Sequence, residues 1–184
     1  MYRLSDFYKR DTYFVFNNEY NLIDRFDLIN SKIIEAKEPI RFDVDKIDDY
    51  ISEYDILPTF TSPLVSTKFK NTFEDLIGKN DAQFLSSTIF DEKGNKNDSF
   101  YVFNILKTIP MLDKERSIYE VDEDGFYSIK KAYFIPDGLK TSIARMEEHK
   151  SYIIVKEEFK RRCEEANLKG VNFIEEGHTI YTDL

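Results

Sequence analysis

Apolar and polar positions alternate along Pro39–Val44. Ile40, Phe42 and Val44 fall on one side and Arg41 and Asp43 on the other, a period of two that predicts a strand. The aromatic and β-branched run Thr12–Phe16 predicts another. After Val44 the period lengthens. Ile47, Tyr50, Ile51 and Tyr54 recur at i, i+3, i+4 and i+7, which predicts a helix with Asp45 as its N-cap. Pro58 and Pro63 bracket an extended stretch over 55–65. Ser66 reads as the N-cap of a second helix, with Phe69, Phe73, Leu76 and Ile77 on one stripe and Gly78 as its stop.

The central section turns to strand. Phe84–Phe90 and Phe100–Ile109 are two β-rich runs on either side of a polar connection, Asp91–Asp98, which predicts a long hairpin. A further strand spans Phe126–Ile135, with Tyr127, Ile129, Tyr133 and Ile135 sharing a face and Pro136-Asp137-Gly138 as the closing turn. Tyr152–Val155 leads into a last helix over 156–168. Phe159, Cys163 and Ala166 form its inner stripe, Glu157–Arg161 and Glu158–Arg162 are i, i+4 pairs, and Gly170 lies just past its end. There is no internal repeat and no linker. The pattern predicts an α+β fold: a mainly antiparallel sheet with three to four packed helices in a single compact unit over 1–184. Residues 1–56 form a candidate N-terminal subdomain ahead of 57–176.

With 184 residues, of which 16 are Phe and 12 Tyr, the chain has ample material for an aromatic core and needs no staple. Its single cysteine, Cys163, has no disulfide partner within the chain, and its helical position predicts a buried, inert thiol. Charges are scattered through Met1–Asp11 where a secretory signal needs an apolar run, and no stretch is long and apolar enough to span a bilayer. These features predict a cytoplasmic protein. A net charge of −9 disfavours direct binding to nucleic acid and favours encounter with a basic protein partner.

The motifs of common enzymes are missing: no G-x-S-x-G elbow, no phosphate-cradling loop, no dinucleotide fingerprint and no Cys-x-x-Cys. The two histidines, His149 and His178, each follow a glutamate cluster (Glu147-Glu148 and Glu175-Glu176) and could act together only if the fold brought them into one site. In Glu120–Gly125 the glycine falls two places too early for a calcium-binding loop, so a solvated turn is expected. No catalytic, cofactor or metal residues are assigned. Two acidic surfaces remain as candidate docking sites for a basic partner. The first comprises Asp43, Asp45, Asp48, Asp49, Glu53 and Asp55, and the second Glu120, Asp122, Glu123 and Asp124. Tyr50 and Tyr54 would stiffen the first if their rings reach the surface.

From Leu57 to Glu176 the order of features resembles the immunity-protein family eleven of bacterial polymorphic toxin systems. The resemblance rests on Leu64-Val-Ser66 opening a helix and on Phe100-Tyr-Val-Phe-Asn-Ile-Leu-Lys-Thr-Ile-Pro-Met-Leu-Asp113, with Ser117 four residues on. It continues through Lys131-Ala-Tyr-Phe-Ile135 and through Ile153-Ile-Val-Lys-Glu-Glu-Phe-Lys leading to Gly170-Val-Asn-Phe173. The family carries an aromatic before an arginine in the late strand, where this chain has Ala144 before Arg145. The resemblance implies a non-enzymatic protector that binds a cognate toxin domain and blocks its active site or substrate groove. It supplies no catalytic residues, and the two acidic surfaces become candidate toxin-binding sites. Asp113 and Ser117 are expected to satisfy backbone groups in the turn after their strand. The competing readings are a small hydrolase using the His/Glu clusters and an adaptor with no toxin partner.

Overall fold

The computed structural model describes residues 1–178. In chain order its strands begin with β1 (Tyr2–Asp6), β2 (Val15–Phe16), β3 (Ile40–Val44), β4 (Ile56–Leu57) and β5 (Leu64–Ser66). They continue with β6 (Ala82–Asp91), β7 (Lys96–Asn97), β8 (Phe100–Ile105), β9 (Thr108–Ile109) and β10 (Ile118–Val121). The last are β11 (Tyr127–Lys131), β12 (Ile143–Met146), β13 (Ile153–Val155) and β14 (Val171–Glu175). The helices are α1 (Arg25–Ile29), α2 (Thr67–Phe73) and α3 (Glu157–Glu165).

One sheet has the order β14-β1-β13-β12-β9 and the other β2-β3-β6-β8-β5-β4, with β7 doubling back on β6. A separate ribbon pairs β10 with β11. Pairing is antiparallel except for β3 with β6 and β9 with β12. The structure is therefore mostly sheet, with three short helices, a strand-rich form of the α+β architecture read from the sequence. The first 56 residues are woven into both sheets, since β1 pairs with β13 and β14 while β3 pairs with β6.

The alternation over 40–44 appears as a buried, half-buried, buried sequence along β3. In β12 all four residues are buried because the strand is covered on both faces. Ile143 faces a core built with Leu4, Ile153, Phe103, Phe69 and Phe73, whereas Ala144 and Met146 face another that includes Ile129, Met111 and Phe134. A third core gathers Phe14, Phe16, Phe42 and Leu28 around the outer part of the second sheet. Between the sheets, the Phe73 and Phe159 rings stack 4.0 Å apart and fasten α2 to α3.

Ser66 caps α2 as expected, accepting from the Phe69 N–H at 3.1 Å. Phe159 and Cys163 are the buried face of α3, while Ala166 ends the helix half-buried. Of the two ion pairs expected on α3, Glu158–Arg162 forms at 3.0 Å. Glu157 instead accepts the Tyr2 hydroxyl at 2.6 Å, and Arg161 turns to Glu158 and Glu165. The helix expected from Asp45 is reduced to a single 3-10 turn, Ile51–Glu53. Asp48 opens that turn in place of Asp45. Its carboxylate accepts from the Tyr50 and Ile51 backbone N–H groups at 2.9 and 3.1 Å, the pattern of an N-cap. The strand expected over 12–16 shortens to Val15–Phe16, and α1 had no periodic signal.

Gly170 sits where β1, β4 and the end of α3 converge. Its φ is +81°, and a Cβ there would lie 2.8 Å from Tyr54 Cδ1 and 2.9 Å from the Phe7 carbonyl oxygen. Gly170→Ala is expected to destabilise the fold by about 2–3 kcal/mol. Urea unfolding should show this as a lower midpoint with an unchanged slope.

Candidate functional site

The first acidic surface is largely consumed by the chain's own cations. Arg10 reaches Asp45 and Asp48, the latter at 2.7 Å, and Tyr8 donates its hydroxyl to Asp48 at 2.8 Å. Asp43 is held by Arg41 at 2.8 Å and by the Asn17 side-chain amide at 2.5 Å. Asp55 departs furthest from a docking role. It is buried, accepting from Ser66 Oγ at 2.5 Å and from the Lys169 N–H at 2.9 Å. Only Asp49 and Glu53 remain exposed without an ion-pair partner among the described residues. Of the two tyrosines, Tyr50 reaches the surface with Lys9 over its ring at 4.1 Å. Tyr54 packs edge-on against Tyr8 at 4.8 Å.

The second surface is the tip of the β10–β11 ribbon. Asp122 builds the tip, accepting from the Asp124 and Phe126 N–H groups at 3.0 and 2.8 Å, while Gly125 takes φ +85° to close the turn. Glu120 pairs with Lys130 across the ribbon at 2.8 Å. That leaves Glu123 and Asp124 exposed and without a cation among the described residues. Apolar side chains project beside them: Phe126 is 72% exposed, Ile118 55% and Val121 47%. The sequence reading found the acids and missed these apolar neighbours, whose exposure follows from a two-stranded ribbon with no layer over its outer face. At its base Asp113 behaves as expected, whereas the Ser117 hydroxyl bonds Tyr133 and not its own turn. Asp113 accepts from the Glu115 and Arg116 N–H groups, and Ser117 Oγ bonds both the N–H and the carbonyl of Tyr133.

The histidines have separate surroundings. His149 stacks on Tyr152 at 4.1 Å, and its Nδ1 is 2.8 Å from Ser151 Oγ. Burial pushes its pKa down. A Ser–His contact is the first half of a nucleophilic pair, but the imidazole has no carboxylate to orient it among the described residues. His178 lies 3.9 Å from Glu175 and shares no partner with His149. Among the described residues no three His, Cys, Asp or Glu side chains gather as a metal site. Cys163 is buried, and loss of solvent pushes its thiol up to about 12. No helix among the described residues is long and apolar enough to cross a membrane.

The arrangement defines a sheet-rich protein whose distinctive exposed element is an acid-tipped, apolar-sided ribbon. Comparison with protein families gives this a name: the model of the Immunity protein family (Imm11) matches residues 4–178. The chain belongs to that family. The match begins in β1 and so takes in the N-terminal strands that the sequence resemblance left out. No curated protein matches the chain.

The Arg10 cluster carries a pH dependence. Loss of solvent raises Asp48, but hydrogen bonds from Arg10 and Tyr8 outweigh it and hold the carboxyl below the usual range. Its contribution is complete above about pH 4, the ordinary aspartate value, and is lost as the pH falls through the lower folded value. Asp48→Asn should therefore lower the thermal midpoint at pH 7. It should also lose less of that midpoint than the parent between pH 5 and pH 2, as differential scanning calorimetry would show.

Proposed function

We propose that the protein is a cytoplasmic immunity protein that neutralises a cognate bacterial toxin domain by binding it and covering its active site or substrate groove. The tip of the β10–β11 ribbon is the leading docking element. The observation that carries this reading is the union, over 120–126, of unpaired acids with exposed apolar side chains. Interfaces take their affinity from buried aromatic anchors and their steering from complementary charge, and Phe126 beside Glu123 and Asp124 offers both. The partner is a basic protein surface, in keeping with the net charge of −9, and no nucleic acid or bilayer is engaged directly. Asp49 and Glu53 form a secondary contact. Most of the first acidic surface is neutralised within the chain, so the ribbon carries the recognition. Catalysis has no part in this action.

The test is co-expression with the toxin domain encoded beside this gene, followed by affinity measurement. Phe126→Ala combined with Glu123→Lys and Asp124→Lys should weaken the complex by about a hundred-fold and reduce its salt dependence. Asp49→Lys with Glu53→Lys should change affinity by no more than about three-fold. Wild-type affinity in the ribbon variant would remove the ribbon from the interface. Failure of the parent protein to protect cells or co-purify would reject the binding reading altogether.

A further inference from the structure

Across β1, β13 and β12 the register places Leu4 opposite Ile153 and Ile153 opposite Arg145, so these three side chains share a face. That face looks onto the loop over 59–63, and between them lies an open cavity of about 340 Å3 whose lining includes Arg145, Asp6, Ser151 and Phe60. Arg145 is 1% exposed. Its guanidinium donates to the Lys150 carbonyl at 2.8 Å, to Ser62 Oγ at 2.6 Å and to the Thr61 carbonyl at 3.4 Å, all of them neutral acceptors. No carboxylate pairs with it among the described residues, and its buried Nε–H has no acceptor at all. Burial pushes its pKa down to about 10.

A buried charge without a counter-ion is among the costlier arrangements in a protein, and an orphaned buried donor signals a partner that arrives from elsewhere. We propose that this cavity is a binding site for a carboxylate, held by the Arg145 guanidinium. With Nη1 and Nη2 engaged, the Nε–H is the donor left for a carboxylate oxygen, and the bond it would make is charge-assisted. Besides Arg145 the lining holds one further cation, Arg3, whose guanidinium lies over the Tyr152 ring at 4.4 Å, and one carboxylate, Asp6. Asp6 stands two residues from Leu4 on the same face, partly buried and without a cationic partner among the described residues. Its proximity favours a singly charged ligand over phosphate. Phe60, 65% exposed and stacked on Tyr13 at 4.3 Å, stands in the lining and extends it outward with an apolar surface. The carboxylate can come from a small free acid or from an acidic side chain of a bound protein, and the site stands independently of the ribbon's role.

The Arg145 Nε–H resonance of the isotopically labelled protein reports the site directly. Sodium acetate should move it to saturation, while sodium chloride at matched ionic strength leaves it in place. A blocked Gly-Asp-Gly peptide, compared with its Gly-Asn-Gly counterpart, separates the sources. Tighter binding of the aspartyl peptide than of acetate points to a side chain, and acetate alone points to a free acid. Asp6→Asn should tighten acetate binding by about three-fold or more, and Arg145→Lys, followed by calorimetric titration because it lacks that resonance, should weaken it by at least about ten-fold. Should the lysine variant fail to fold, Asp6→Asn carries the test. Absence of saturable movement with both acetate and the aspartyl peptide, equal affinity for phosphate, or an unchanged Asp6→Asn would overturn the proposal.

Discussion

One buried carboxylate ties the two sheets together by hydrogen bonds. Asp55 accepts from Ser66, the residue that caps α2, and from the Lys169 N–H at the turn between α3 and β14. Its own N–H bonds the Lys169 carbonyl, and its carbonyl accepts from the Ser66 N–H. A single residue thus secures a strand edge, a helix start and the approach to the last strand. Removing the carboxylate would orphan the donors around it in a region with little access to water, where an unmade hydrogen bond costs more than a made one contributes. The close packing at Gly170 is the same joint seen from the other side, since the Phe7 N–H bonds the Gly170 carbonyl at 2.8 Å.

Asp55 is one case of how the fold places its acidic residues. A chain with 35 acids and 26 bases has spare negative charge, and the fold sorts it. Near the N-terminus the acids are spent internally, on Arg10, on Arg41 and at Asp55 itself. At the ribbon Glu120 pairs with Lys130 and Asp122 builds the tip, while Glu123 and Asp124 are left free beside apolar side chains. An acidic run in a sequence is therefore not one kind of object. Whether it is neutralised within the chain or left open to solvent depends on which cations the fold returns to it.

Much of the architecture was legible because its signals are local. The alternation over 40–44, the Ser66 cap and the Asp113 turn use neighbours within a few residues, and the β6–β8 hairpin announces itself by a polar connection between two β-rich runs. What failed to read depends on distance along the chain. The apolar spacing from Ile47 to Tyr54 is sound helix text, yet a single turn forms there, and Asp48 at its start is tied to Tyr8 and Arg10, some forty positions away. The pairing of β1 with β14 joins residues about 170 apart, which no periodicity reports. Arg145 looked like an ordinary strand residue because burial of a charge is set by the sheet layers above and below it. The ribbon's acids were visible, but their apolar company was not, since exposure of Phe126 is decided by what fails to cover it.

The placement of β1 between β13 and β14 has a bearing on timing in the cell. The first strand made has no neighbour in its sheet until residues 153–175 have emerged from the ribosome. At the usual pace of translation that is a wait of roughly ten to thirty seconds. Until then Tyr2–Asp6 stays an unpaired segment, and the sheet that buries Arg145 does not exist. Completion of this sheet therefore waits for the β13 and β14 segments, and a chain cut short of them leaves β1 without a partner.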